Sequence, residues 1–229
     1  MSSEQFIRSK GLITQEKFYK IKEVKILLVG LGGVGGTALE ALVRTGFQHF
    51  TIIDGDKVEP SNLNRQILFN ENDIGKEKAY TAKQHLLQIN PDLDIKAISA
   101  VINAENMDIF KDIDFDFLVD AIDDIRAKVG LVKFALENEK PFVCSLGMAN
   151  RFDPSKVFIT RLDKATGDPL AKKFRYELKQ VGIDTKKVNV SFSWETPLKD
   201  GTNLNSIMMP PSAAGLNIAF FVLAHFIQK

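Results

Sequence analysis

Short apolar runs and helical patterns alternate along the first two-thirds of the chain. The apolar runs predict strands at 25–30, 50–54, 94–100, 115–120 and 141–145. Helical patterns lie between them, from a glycine-rich turn to Thr45, at 75–90 and at 126–137. Continuous apolar strands are typical of a parallel sheet buried on both faces. Their alternation with helices predicts an α/β protein with a Rossmann-like, doubly wound and mostly parallel sheet.

The alternation ends near residue 150, where a second pattern begins. A strand is predicted at 156–161, a helix from Asp168-Pro169, strand and loop at 186–200, an ordered loop at 203–212 and an apolar helix at 213–227. We therefore expect an N-terminal segment at 1–24, a Rossmann-like domain at 25–150 and a smaller C-terminal α+β lobe at 151–229 packed on the same core. Because Asn217 and His225 interrupt the last apolar run, we expect a buried helix at a core or subunit contact and no membrane span.

Composition narrows the choice of function classes. The chain has 229 residues, a formal net charge of +1 and one cysteine, so its overall charge demands neither nucleic acid nor membrane. A single cysteine excludes a disulfide framework and a zinc site built from Cys-x-x-Cys pairs. Cys144 falls inside a predicted strand, where a small buried hydrophobe is expected. The polar N-terminus has no apolar core of signal-peptide length, which predicts a cytoplasmic protein.

A glycine-rich turn joins the first predicted strand to the first helix. It contains four glycines, at Gly30, Gly32, Gly33 and Gly35. Glycine lets the backbone approach phosphates closely while helix N-terminal amides point at the anion. Asp54 ends the second strand, where a carboxylate can accept ribose hydroxyls. This pattern predicts a nucleotide site, but NAD and FAD sites share it.

The polar run after Asp54 favours a triphosphate over a dinucleotide. After the carboxylate of Asp56, amide, guanidinium and ammonium groups follow one another at Asn62, Arg65, Gln66, Lys76 and Lys78. A triphosphate needs such cations, and usually Mg²⁺, to neutralise its charge. Asp120, Asp123 and Asp124 follow the fourth strand, so we expect their carboxylates at the same sheet edge, placed to hold Mg²⁺. For Asn62 an ordinary helix cap, and for Asp124 a solvated carboxylate, remain equal alternatives.

At these residues the sequence resembles the adenylating superfamily of ubiquitin-activating enzymes and their bacterial relatives in molybdopterin and thiamin synthesis. The resemblance covers about 25–147 and includes the glycine turn, the Ser-Asn-Leu-x-Arg-Gln motif at 61–66, Lys78 and the Asp-x-x-Asp pair at 120–123. It implies ATP and Mg²⁺ as cofactors, with 25–150 as the ATP-binding adenylation domain. Asp54 would then hold the ribose, Asn62, Arg65 and Lys78 the phosphates, and Asp123 the Mg²⁺; Asp56 and Gln66 complete the expected nucleotide site.

The segments 120–128, 168–173 and 192–195 look like the tRNA threonylcarbamoyladenosine dehydratase branch of that superfamily. This similarity implies ATP-dependent adenylation of the threonyl carboxylate of a modified adenosine in tRNA, followed by ring closure within the nucleoside. Such an intramolecular attack needs no enzyme nucleophile. Arg126 and Lys128 are expected to reach the substrate carboxylate, with ordinary surface charge as the alternative. The resemblance also implies a homodimer and leaves room for a sulfur-transfer protein as partner.

A basic helix face supports an RNA partner. We expect tRNA phosphates to contact four side chains, Lys172, Lys173, Arg175 and Lys179, although a solvated helix face would look the same. Three other functions stay open: adenylation of the C-terminal glycine of a ubiquitin-like carrier protein, a non-catalytic nucleotide-binding partner and an NAD dehydrogenase. The missing zinc cysteines count against the first, the intact Arg65, Lys78 and Asp123 against the second, and the 61–66 run against the third.

Overall fold

The computed structural model describes residues 4–198 and 204–228, and within them one seven-stranded sheet forms the centre of the fold. The strands are β1 Lys25–Val29, β2 His49–Ile53, β3 Asp94–Ile98, β4 Phe117–Asp120, β5 Phe142–Ser145, β6 Val157–Arg161 and β7 Asn189–Ser193. Their order is β3-β2-β1-β4-β5-β7-β6. All neighbours pair in parallel except β6, which runs antiparallel to β7. The predicted Rossmann-like α/β class is confirmed.

Helices cover both faces of this sheet. They are α1 Ile7–Ile13, α2 Gln15–Lys22, α3 Gly33–Thr45, α4 Lys78–Ile89, α5 Ile125–Glu137, α6 Pro169–Gln180 and α7 Met209–Ile227. Alternate residues of β1 belong to different cores: Ile26 and Leu28 pack with α2, α3, α4 and α7, whereas Leu27 and Val29 pack with α5 and α6. This arrangement explains the continuous apolar runs of the central strands β1, β4 and β5, because these strands are buried on both sides.

The sheet does not stop at residue 150. β7 pairs with β5, and β6 pairs with β7, so strands of the predicted C-terminal lobe continue the sheet of the predicted Rossmann-like domain. The edge of the sheet at which the parallel strands end therefore includes residues from both the predicted Rossmann-like domain and the predicted C-terminal lobe.

Two predicted boundaries were wrong. α7 begins at Met209, inside the predicted loop at 203–212, because Pro210 and Pro211 occupy its first turn, where a missing N–H costs no helical hydrogen bond. α4 begins at Lys78 rather than near Gly75, whose φ of +85° is incompatible with a helix; Lys76 therefore precedes the helix. Residues 199–203, which carry parts of two predicted segments, lie outside the described residues.

α7 is the helix among the described residues whose length and composition would allow it to cross a membrane, and 39% of its apolar window is buried inside the fold. It packs along α3 so closely that a Cβ at Gly215 would lie 2.5 Å from the Val34 carbonyl oxygen. The opposite side of α7 exposes Leu216 and Phe220. The helix is thus a core element with one uncovered apolar face.

Candidate active site

A cleft of about 770 Å³ lies at the carboxyl ends of β1, β2, β4 and β5. Its position is the switch point of the sheet, because the chain leaves β1 toward β2 on one side and β4 flanks β1 on the other. The lining includes nearly all of the residues predicted to bind the nucleotide: Gly30, Gly32, Gly33, Asp54, Asp56, Asn62, Arg65, Gln66 and Lys78, together with Asp123. The structure thus brings together residues that lie far apart in the chain.

The glycine turn forms the floor between β1 and α3. Gly30 has a φ of +94°, and a Cβ there would lie 2.6 Å from the Ala121 carbonyl oxygen, so only glycine fits. Gly35 differs from its prediction, because it is not among the residues that line the cleft. A Cβ at Gly35 would lie 1.9 Å from the Gly30 carbonyl oxygen. Gly35 therefore allows α3 to pack onto the turn instead of approaching the nucleotide.

Asp54 sits just beyond β2 and fixes the turn. Its Oδ2 accepts the Leu31 amide at 2.7 Å, and its Oδ1 accepts the Asp56 amide at 2.9 Å. Burial raises the pKa of this carboxyl above its ordinary value, although the two amides partly oppose that shift. These two hydrogen bonds from backbone amides leave lone pairs free on the carboxylate, so it can also accept hydrogen bonds from the hydroxyls of a ribose.

Lys78 is the cation that reaches into the cleft from the start of α4. Its Nζ donates to Asp56 Oδ2 at 2.9 Å. The Lys78 side chain is only 6% exposed, whereas that of Asp56 is 68% exposed. A second contact, from the Lys78 amide to the Asp56 carbonyl at 2.9 Å, ties the helix start to the loop after β2.

The 61–66 motif folds as a short 3-10 turn, Pro60–Asn62, followed by a loop. Asn62 Oδ1 accepts the Glu59 amide at 3.1 Å, so the capping alternative is correct for this side chain, which also lines the cleft. Arg65 Nη1 donates to the Ser61 carbonyl at 2.7 Å. Gln66 is buried, and its Oε1 has no hydrogen-bond partner within the described residues. A buried acceptor of this kind calls for a donor from a ligand or water.

The charged residues after β4 differ in their contacts. Asp123 is exposed and lines the cleft. Asp124 also lies at the cleft wall, but its Oδ1 caps α5 by accepting the Ala127 amide at 2.7 Å. Arg126 is exposed and is not among the lining residues, so the structure does not support its predicted contact with the substrate. The physical reason is its place in the first turn of α5, between the buried residues Ile125 and Ala127.

The structure contradicts both interpretations of Lys128, as a contact to the substrate and as an ordinary surface charge. Its side chain is fully buried and forms an ion pair with the equally buried Asp120 at 2.8 Å. The Lys128 Nζ also donates to the Ile122 carbonyl at 3.1 Å and lies 5.7 Å from the centre of the Phe174 ring. These contacts hold the turn that carries Asp123.

A buried group that the sequence analysis missed stands on the opposite wall of the cleft. The guanidinium of Arg151 forms an ion pair with Asp168 and donates to the Glu195 carbonyl; its Nε donates to the Gly147 carbonyl at 3.3 Å. Asp168 also caps α6 by accepting the Ala171 amide. No local signal links an arginine to an aspartate 17 residues later; only the fold brings them together.

Cys144 is buried in β5, as expected. Burial raises the pKa of its thiol well above the ordinary range, and the nearby Asp120 carboxylate adds to the shift. A thiol that stays protonated is a poor nucleophile, so this group is unsuited to forming a thioester.

The α6 cations differ from one another. Lys172, Lys173 and Lys179 are exposed. Arg175 is half-buried and donates to the carbonyls of Leu162, at 3.2 Å, and Ala165. The guanidinium thus already stabilises the loop before α6, and its contact with RNA stays a prediction.

Fold and cleft together define a Rossmann-type nucleotide-binding protein whose cleft is lined by the cations Arg65 and Lys78. The chain belongs to the ThiF family, whose profile matches residues 6–166. A tRNA threonylcarbamoyladenosine dehydratase of Bacillus subtilis is 33% identical over 91% of this chain and 86% of its own length, and that of Escherichia coli is 36% identical over 77% and 66%. The solved structure of the Escherichia coli enzyme in complex with ATP is similar, with a TM-score of 0.93 and 30% identity over 98% of this chain and 94% of that one.

Proposed function

We propose that this chain uses ATP to adenylate the carboxylate of threonylcarbamoyladenosine in tRNA and that the nucleoside then cyclises with net loss of water. The observation that carries the proposal is the cleft itself, which brings Arg65, Lys78 and Asp123 to the glycine turn. The similarity to dehydratases over nearly the whole chain selects the substrate among carboxylates.

The cations of the cleft suit a triphosphate. Lys78 and Arg65 carry positive charge at a partly buried wall, where a charge-assisted bond to phosphate is stronger than in bulk water. Both cations are currently bonded to neighbours of the same chain, Lys78 to Asp56 and Arg65 to Ser61. Asp54 would accept the ribose hydroxyls, and Asn62 and Gln66 would contact the nucleotide from the same side.

The residues present fit a Mg²⁺ ion that is shared with phosphate oxygens. The described residues contain no group of three or more acidic, histidine or cysteine side chains that could hold a metal alone. Mg²⁺ in nucleotide sites usually takes one or two carboxylates plus phosphates and waters, and Asp123 supplies such a carboxylate. When bound there, the ion would neutralise phosphate charge.

Ring closure needs no covalent enzyme intermediate. Attack of the substrate carboxylate on the α-phosphate of ATP releases pyrophosphate and leaves an acyl-adenylate. A nucleophilic group of the same nucleoside then attacks the acyl carbon, loses its proton and displaces AMP. Because both groups belong to one nucleoside, their effective concentration is high. The buried Cys144 thiol is consistent with this direct route.

Nucleoside mass spectrometry tests the proposal. tRNA bearing threonylcarbamoyladenosine, incubated with the protein, ATP and Mg²⁺, should lose one water from that nucleoside. Arg65→Ala should lower kcat by a factor on the order of 10²–10³, because it removes one donor to charge that develops on phosphate. The matched control Arg44→Ala removes an exposed arginine at the far end of α3 and should leave the rate unchanged.

Other outcomes of this assay have defined meanings. ATP–pyrophosphate exchange that a carrier protein provokes, without change in the tRNA, would replace the proposed substrate by a C-terminal glycine. If the folded protein neither dehydrates the tRNA nucleoside nor catalyses ATP–pyrophosphate exchange with a carrier protein, it would be a non-catalytic nucleotide-binding partner.

Two finer proposals concern the partners. The exposed lysines of α6 would contact tRNA phosphates, since α6 begins at the cleft wall with Asp168. A homodimer would cover the exposed apolar face of α7. The sulfur-transfer partner and the cytoplasmic location stay predictions.

A further inference from the structure

Two aromatic rings project into solvent just beyond the cleft. Phe152 is 64% exposed and Trp194 is 51% exposed. We call these two residues the aromatic platform. Trp194 directly follows β7, and Phe152 directly follows Arg151, which lines the cleft. Since β7 neighbours β5, the platform lies at the same carboxyl edge of the sheet as the nucleotide site.

The backbone beneath both rings is firmly held. Glu195 Oε2 accepts the amides of Phe152 at 2.8 Å and Asp153 at 2.9 Å. The Arg151 guanidinium bonds the Glu195 carbonyl from the cleft side. Trp194 packs edge-on against the buried Phe192 ring at 5.0 Å. Exposed rings on such a rigid base lose little conformational entropy on binding, which suits them to recognition.

Cations and carboxylates both lie beside the platform. The Trp194 amide donates to the Lys156 carbonyl at 3.0 Å, which places the exposed Lys156 opposite the indole on the neighbouring chain segment. On the other side, the Arg151–Asp168 ion pair joins the platform to the start of α6, one turn before Lys172 and Lys173. Glu195 accepts two backbone amides, and Asp153 accepts the Ser155 amide and hydroxyl and forms an ion pair with Lys156 at 3.5 Å. The exposed Lys172 and Lys173 are therefore the cations that we expect to attract phosphates here.

Exposed aromatic rings among lysines are the features by which proteins bind unpaired nucleotides. Bases stack on the rings, and the lysines attract phosphates. A nucleoside that enters the 770 Å³ cleft must leave the stack of its own RNA loop, and its neighbours then lose a stacking partner. We propose that Phe152 and Trp194 replace that partner by stacking with unpaired bases that flank the modified adenosine. This inference rests on the proposed function.

The fluorescence of Trp194 can be used to detect a base stacked on it, because Trp194 is the single tryptophan of the chain. Titration with substrate tRNA should quench its emission to a saturating value, since a stacked base quenches an indole. A fully paired RNA duplex of equal length offers phosphates without free bases, and it should leave the emission nearly unchanged. Emission that stays constant while filter retention shows tRNA binding would overturn the platform.

Kinetics provide the second test. Phe152→Ala and Trp194→Ala should each raise KM for tRNA about tenfold, which corresponds to about 1.4 kcal/mol of lost stacking, and leave KM for ATP unchanged. Trp194→Phe keeps a ring and should restore most of the affinity. The control Tyr19→Ala removes a half-exposed ring from α2, near the amino end of β1 and away from the cleft, and should change neither constant.

The outcomes separate this inference from the function on which it rests. If the wild type dehydrates the nucleoside but a double variant with both Phe152→Ala and Trp194→Ala keeps the wild-type KM for tRNA, the platform proposal is wrong and the proposed function stands. Loss of dimerisation in the double variant, with tRNA affinity per folded site unchanged, would assign the rings to a subunit contact. If the wild type quenches with tRNA but never dehydrates it, the platform stands and the substrate assignment fails.

Discussion

At the residue scale, the present partner of Lys78 is consistent with its proposed contact to phosphate. Its side chain is nearly buried, whereas its partner Asp56 is mostly exposed. An exposed carboxylate is well solvated by itself, so it loses little when a phosphate takes its place. A buried partner would have held the lysine more tightly and opposed binding. Lys128 illustrates that opposite case, since both it and Asp120 are buried and the pair serves the fold.

Asp54 should make nucleotide binding sensitive to acid. In the proposed site its ionised form accepts ribose hydroxyls, and burial raises its pKa above the ordinary 3.8. ATP affinity should therefore be complete above the raised pKa and fall as the pH drops through it, at a higher pH than for an exposed aspartate. Calorimetric titration with ATP at a series of pH values measures this loss.

The matched variant for this prediction is Asp54→Asn. It should bind ATP at least about tenfold more weakly at neutral pH, because hydrogen bonds to a charged acceptor are worth about 1.5–3 kcal/mol. Its ATP affinity should also lack the fall at low pH that is assigned to Asp54. Superimposable pH profiles of wild type and variant would show that Asp54 does not hold the nucleotide.

The place of a residue at the cleft could be predicted where it depends on residue type and local motifs, but not where it depends on distant partners. Asp54 was placed there because it ends a predicted strand, and Arg65 and Lys78 because they belong to the polar run that follows it. Arg126 was misplaced and Lys128 misjudged, since the sequence gives charge and helical spacing but not which side of α5 is covered. The buried position of Arg151 could not be predicted, because it depends on an ion pair with Asp168, which only the fold brings near.

At the element scale, the strands were the most predictable part. The central strands β1, β4 and β5 are buried by helices on both faces, so their apolar runs are nearly continuous and easy to recognise. The start of α7 was missed because Pro210 and Pro211 are usual in loops as well as in first helical turns. The packing of α7 on α3 depends on Gly215 and Val34 meeting, which neither local sequence reveals.

The exposed face of α7 predicts a subunit contact. Leu216 and Phe220 are 55% and 65% exposed and lie one helical turn apart. Leu216→Glu together with Phe220→Glu should convert a dimer to a monomer, because two charges would have to be buried, while the fold stays intact since both positions already face solvent. Sedimentation velocity measures the change.

A control for this prediction is Gln180→Glu, which adds charge at an exposed position of α6. It should leave the dimer unchanged. A monomeric wild type, or a double variant that sediments as the wild type does, would contradict the assignment of this face.

At the scale of the whole molecule, charge is distributed unevenly despite a net charge of +1. Lys172→Glu with Lys173→Glu should weaken tRNA binding and reduce the slope of log affinity against log salt by about one for each lost phosphate contact. Fluorescence anisotropy of labelled tRNA at several salt concentrations measures both effects.

The control Lys20→Glu reverses an exposed charge on α2, near the amino edge of the sheet. It should change neither affinity nor slope. Equal salt slopes for the wild type and the α6 variant would show that these lysines belong to an ordinary solvated helix face.

The contact between α3 and α7 also has a consequence for synthesis. The ribosome makes the glycine turn and α3 early, but the helix that covers α3 comes from the opposite end of the described residues. Until α7 has left the exit tunnel, the nascent chain holds the apolar side of α3 uncovered, in the state most open to chaperones and to self-association. The time between the emergence of α3 and that of α7 therefore sets how long that surface is unprotected.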